Sequence, residues 1–128
     1  IAKLCNQIAQ TITIEGIAES LLFAKSLGAD PSTVLSAIEG GMGGSPMMTL
    51  LGPKMVNKNY DPVIEARLHA KDVGIACKAA EDHGGVFPCL NIVRENYTTA
   101  MERNFGQRDT SILHKIIDEV APRDKLRN

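Results

Sequence analysis

At 128 residues, with 44% hydrophobic and 23% charged side chains, the chain is long enough to bury one core without disulfide or metal staples. A formal net charge of -1 leaves no electrostatic footprint for nucleic acid or an anionic membrane, and 4% aromatic residues with no Trp argue against a base-stacking platform. No apolar run approaches the ~20 residues needed to span a bilayer.

In chain order the punctuation is that of helices, with no strand-period alternation of useful length. A first helix over residues 1–27, ended by Gly28, would span roughly 40 Å at ~1.5 Å per residue. It begins without a capping residue and without Met, so the chain is expected to be the C-terminal part of something longer. Asp30-Pro31 is a cap followed by proline, opening a short helix to about Glu39. Residues 40–44 are glycine-rich and break it. Ser45-Pro46 begins a third helix, expected to bend or split at Gly52-Pro53. After a loop over 57–62, a fourth helix covers about 63–83, ended by Gly84-Gly85. Pro88 opens a fifth to about Phe105, closed by Gly106. Asp109 or Thr110 caps a last helix through Val120, which Pro122 ends. The expected architecture is all-α, about six helices built on one long N-terminal helix, with a domain over 1–122 and a polar tail over 123–128.

Two lysines stand where helical periodicity calls for buried residues. The stripe Ile64, Leu68, Ile75, Ala79 has its missing step at Lys71. On the first helix, positions 3, 7, 10, 14, 17 and 21 share a face that is apolar in its second half but begins Lys3, Gln7, Gln10. A buried ammonium needs an anion or strong acceptor, so both lysines suggest a polar, ligand-filled pocket. The plainer alternatives are an exposed face at a frayed helix end for Lys3, Asn6 and Gln7, and a snorkelling or ion-paired Lys71. Asp72 points about 100° away from Lys71, so its partner is expected on another helix. The loop over 40–45 lacks the ending of a phosphate-binding Walker loop and reads better as a flexible joint. His69, His83 and His114 show no zinc spacing, and no metal site is expected. Cys5, Cys77 and Cys89 read as reduced core residues in a cytoplasmic setting.

Lys3-Leu4-Cys5-Asn6-Gln7 resembles the K-x-x-N-[NQ] segment opening the C-terminal helical domain of β-hydroxyacid dehydrogenases, the family of 3-hydroxyisobutyrate dehydrogenase and tartronate semialdehyde reductase. The likeness continues through Glu19-Ser20-Leu21-Leu22-Phe23-Ala24, Gly28-Ala29-Asp30, residues 40–45, His69-Ala70-Lys71-Asp72 and Gly106-Gln107-Arg108-Asp109-Thr110-Ser111. The resemblance implies a fold like the C-terminal domain of 6-phosphogluconate dehydrogenase. It also implies an N-terminal Rossmann domain, absent here, that binds most of an NAD or NADP cofactor. Lys3 then matches the catalytic general acid/base, and Asn6 and Gln7 the substrate-binding pair, Asn6 as the substrate-orienting asparagine and Gln7 beside it. Lys71 matches the lysine reaching the cofactor, and Asp72 is its structural neighbour. A lysine partly desolvated near another cation would have a lowered pKa suited to proton exchange. Ile64 departs from the pattern, standing where several members carry a cleft-lining Phe.

The implied activity interconverts a small 3-hydroxy acid and its semialdehyde or keto form, with the isolated chain inactive. Two readings compete with it. One is a non-catalytic helical interaction module, which has no reason to keep cations on both inner faces. The other is a small anion-binding helical protein using residues 40–45. A homodimer or higher homo-oligomer is expected because Leu4, Ile8, Ile12 and Leu22 exceed what one small bundle hides.

Overall fold

A computed structural model describes residues 1–120; the expected stop at Pro122 and the polar tail lie outside them. The helices are α1 (Ala2–Ser26), α2 (Pro31–Ile38), α3 (Pro46–Val56), α4 (Ala66–Asp82), α5 (Pro88–Glu102) and α6 (Leu113–Val120), with a 3-10 turn (Thr110–Ile112) before the last. No strand occurs among the described residues, only an isolated bridge between Glu65 and Asp109. The fold is all-α, and α1 packs against each of the other five helices. Ile14, Ile17 and Leu21 of α1 form the centre of the core with Leu51, Met55, Val93, Tyr97, Leu113 and Ile116.

The helix starts follow the sequence signals. Asp30 accepts from the Ser32 and Thr33 N–H groups, with Pro31 in the first turn of α2. Ser45 accepts from the Met48 N–H at 3.0 Å, with Pro46 next. Such caps satisfy donors that have no partner inside the helix. The helix is not split at Gly52-Pro53: α3 continues through Pro53 to Val56. Gly52 is needed there for closeness instead, since a Cβ would meet Leu35 Cδ1 at 2.7 Å.

Four helices end in one geometry. After α1, α3, α4 and α5 a residue takes positive φ: Gly28, Lys58, Gly84 and Asn104. In each case the next N–H reaches back to the carbonyl five residues earlier, as Ala29 does to Ala24 and Phe105 to Ala100. These are Schellman closures, which satisfy the last carbonyls. Gly28 and Gly84 are legible as stops. Asn104 is not, and so α5 ends at Glu102 rather than at the expected Phe105.

The fourth helix corrects the sequence reading most. It begins at Ala66, and its core face is Ala66, His69, Asp72, Val73, Ala76 and Cys77. Leu68 and Ile75 are 44% and 49% exposed, and Lys71 between them is exposed too. Leu68, Lys71 and Ile75 therefore face away from the bundle, while Ile64, half-buried, precedes the helix. Small residues fill the inner face because α4 is packed against both α1 and α5. Cys5 and Cys89 are also exposed, and only Cys77 is a core residue; all three are free thiols.

Candidate functional site

The polar start of α1 meets α4 through one side-chain bond. Gln7 Nε2 donates to Asp72 Oδ2 at 2.8 Å. Asn6 Nδ2 in turn donates to Gln7 Oε1 at 3.2 Å. Asp72 is 8% exposed, so this contact supplies a hydrogen-bond donor to a carboxylate with little access to water. The partner expected for Asp72 on another helix is thus Gln7. Lys3 lies one turn before Gln7 and is exposed, as is Asn6. The burial expected for Lys3 and Lys71 is not found in this chain: both are exposed.

Beneath that contact is a buried polar cluster that sequence reasoning missed. His69, one turn before Asp72, has Nδ1 2.8 Å from Thr110 Oγ1, which is 2.5 Å from the Tyr97 hydroxyl. The His69 and Tyr97 rings meet edge-on with centroids 6.2 Å apart. Burial holds the His69 pKa below its ordinary 6.5, against the opposing pull of Asp72 and Asp109. The Tyr97 phenol is pushed well above its usual range, first by burial. Both are neutral near pH 7 and act as fixed hydrogen-bonding groups. His69 carried a signal: it sits three residues before Asp72 and so shares the inner face.

Farther along α1, Glu15 is 8% exposed and accepts from Asn96 of α5, while its Oε2 has no partner. Burial raises its pKa from 4.5 to about 7; the Asn96 bond opposes this and the Glu19 charge adds to it.

A cleft of about 690 Å³ lies elsewhere, lined by Tyr60, Phe105, Arg108 and His114 among others. Tyr60 and His114 share a 3.2 Å hydrogen bond there. Among its charges, Arg108 pairs with Asp61 and Lys115 with Glu119. A second groove of about 500 Å³ runs between α1 and α5. It is lined by apolar side chains and two thiols, including Cys5, Ile8, Ile12, Phe87 and Cys89. None of Lys3, Asn6, Gln7, Lys71 or Asp72 lines either depression.

The fold coincides with that of a known family. A family model described as NAD-binding of NADP-dependent 3-hydroxyisobutyrate dehydrogenase matches residues 1–117, and the chain belongs to that family. It is 31% identical over 119 residues to 2-hydroxy-3-oxopropionate reductase of Escherichia coli strain K12, covering 93% of this chain and 41% of that protein. It is 32% identical over 114 residues to an uncharacterized oxidoreductase of Bacillus subtilis strain 168, covering 89% of this chain and 40% of that one. The crystal structure of a 3-hydroxyisobutyrate dehydrogenase from Salmonella typhimurium superposes with a TM-score of 0.84 at 22% identity, covering 90% of this chain and 40% of that chain, and shares the fold. The chain spans about two fifths of the length of the relatives it matches.

Proposed function

We propose that this chain is the C-terminal helical part of an NAD(P)-dependent oxidoreductase, in which it supplies the proton-transfer lysine and closes the cleft over cofactor and substrate. The observation that carries the reading is the Gln7–Asp72 bond at 2.8 Å. It ties the start of α1, which bears Lys3 and Asn6, to the helix bearing Lys71. Both lysines stand outside the bundle, which suits groups that meet a second domain.

The residues present fit one edge of a dinucleotide. Lys71 is an ammonium between the exposed apolar side chains of Leu68 and Ile75, a combination suited to an anionic or carbonyl oxygen beside a ring. When bound, the nicotinamide accepts or supplies the hydride. Lys3 takes the proton of the substrate hydroxyl as the 3-hydroxy acid is oxidised and returns it on reduction. Asn6 orients the substrate oxygen. Gln7 has a narrower role than the one the resemblance implies, because its amide is engaged with Asp72 and Asn6. It holds Asn6 in place. The chain by itself is inactive under this reading, and the remaining cofactor contacts belong to an N-terminal Rossmann domain.

The thiol-bearing apolar groove between α1 and α5 supports self-association as a homodimer in a reducing, cytoplasmic setting. A monomer by light scattering at micromolar concentration would refute the dimer.

The test of the main reading uses the longer polypeptide, in which this chain follows its Rossmann domain, with and without Lys3→Met. Nicotinamide absorbance is followed against small 3-hydroxy acids and semialdehydes. Loss of about 10²–10⁴-fold in turnover with cofactor binding retained is expected. Turnover that survives the substitution would remove Lys3 from the chemistry.

A further inference from the structure

Residues 106–111 hold none of the proposed site residues, yet they supply the partners for the start of α4. That helix has no side-chain cap of its own. Its Ala66 N–H donates to the Arg108 carbonyl at 2.8 Å and its Arg67 N–H to the Gly106 carbonyl at 2.9 Å. Just before the helix, the Val63 and Ile64 N–H groups both donate to Asp109 Oδ2, at 2.8 and 3.1 Å. The other oxygen of Asp109 accepts from the Ser111 N–H at 3.0 Å. Thr110 returns a backbone bond to the Ile64 carbonyl at 2.7 Å and touches His69 at 2.8 Å. Asp109 is fully buried, so these N–H groups replace its water.

A helix pinned at 63–64, at 66–67 and again at His69 is fixed in roll about its axis. The face so oriented is the outward one, Leu68, Lys71 and Ile75. A ligand-binding constellation tolerates only about 10–20° of misorientation, so roll is the coordinate that matters for Lys71. Resting on the reading of Lys71 as a cofactor contact, we infer that Asp109 is a positioning residue that sets the roll of α4 and thereby aims Lys71 at the nucleotide.

Asp109→Asn keeps the shape but turns an amide N–H₂ toward backbone donors. Val63→Pro, at an exposed position, deletes one donor and leaves the buried carboxylate intact; it carries the test if Asp109→Asn does not fold. In the chain itself, amide exchange at Ile64 is expected to rise about tenfold in either variant, with α2 and α3 unchanged. In the longer polypeptide, fluorescence titration with NADH and NADPH is expected to give about tenfold weaker binding. In a Lys71→Met background the same substitution should cost no further affinity. Retained protection at Ile64, unchanged nucleotide affinity, or losses that add to those of Lys71→Met would each overturn the inference. Neither readout needs turnover. Failure of the oxidoreductase reading would appear separately, as a wild type without turnover whose nucleotide affinity still responds to Asp109.

Discussion

Gln7 and Asp72, 65 residues apart, are joined by a 2.8 Å hydrogen bond between the first two turns of α1 and the middle of α4. Replacing Gln7 by Met keeps the bulk and leaves a buried carboxylate without this donor. The expected cost is about 1–3 kcal/mol of unfolding free energy, measured by urea denaturation. Asp72→Asn should cost less, because an amide oxygen still accepts. The double mutant should be milder than the sum of the two, and strict additivity would mean that the contact contributes nothing.

Glu15 gives the chain a pH signature. Its folded pKa of about 7 lies above the ordinary 4.5, so between those values the folded state holds a proton that the unfolded state has released. Stability should therefore fall as pH rises through that window and level off above it, by up to about 3 kcal/mol. The buried His69 and His114 act in the opposite sense. Burial lowers both below 6.5, so their contribution improves as pH rises toward that value. Comparing wild type with Glu15→Gln isolates the carboxyl. Denaturation midpoints of the two that run parallel from pH 4 to 8 would rule out a raised Glu15.

Lys58 carries a φ of 52° in the closure after α3, where an L side chain is strained. Lys58→Gly is expected to stabilise the fold by about 0.5–1 kcal/mol, read as a higher denaturation midpoint. Gly84→Ala, at φ 71°, should destabilise it by a similar amount. A destabilised Lys58→Gly would show that the side chain contributes more than its backbone costs.

The three thiols should separate by reactivity. Cys5 and Cys89 are exposed, while Cys77 is buried and its pKa is raised, chiefly by burial. Thiolate fraction and access both govern attack. Maleimide should therefore label Cys5 and Cys89 within minutes and reach Cys77 only after denaturation, as peptide mass spectrometry would show. Protection of Cys5 and Cys89 at high protein concentration, relieved on dilution, would mark the groove between α1 and α5 as the self-association face.

The sequence was readable wherever a local interaction decides the structure. Asp30-Pro31 and Ser45-Pro46 announce helix starts because the capping bonds span two or three residues. Gly28 and Gly84 announce stops because a positive φ suits them. Lys58 and Asn104 do the same work without the signature residue, so those two closures were hidden. The face of α4 was misread because large apolar residues point out and Ala66, Ala76 and Cys77 point in. Periodicity weights size, whereas a helix held against both α1 and α5 selects small residues. Lys3, Asn6, Lys71 and Asp72 enter as candidates through the family resemblance, whereas the Gln7–Asp72 bond and the His69–Thr110–Tyr97 cluster bring together residues remote in the chain. No local pattern encodes those.

The borrowed caps of α4 bear on how the chain folds. An isolated 17-residue helix is marginal in water, and this one lacks a side-chain cap. The carbonyls that receive its first N–H groups lie about forty residues downstream, so a loop of that length must close before the first turn is secure. Formation of α4 is thereby coupled to arrival of the segment before α6, and this end of the bundle should assemble late and as one cooperative unit. A peptide cut before Gly106 would lose the beginning of α4 as well as everything that follows the cut.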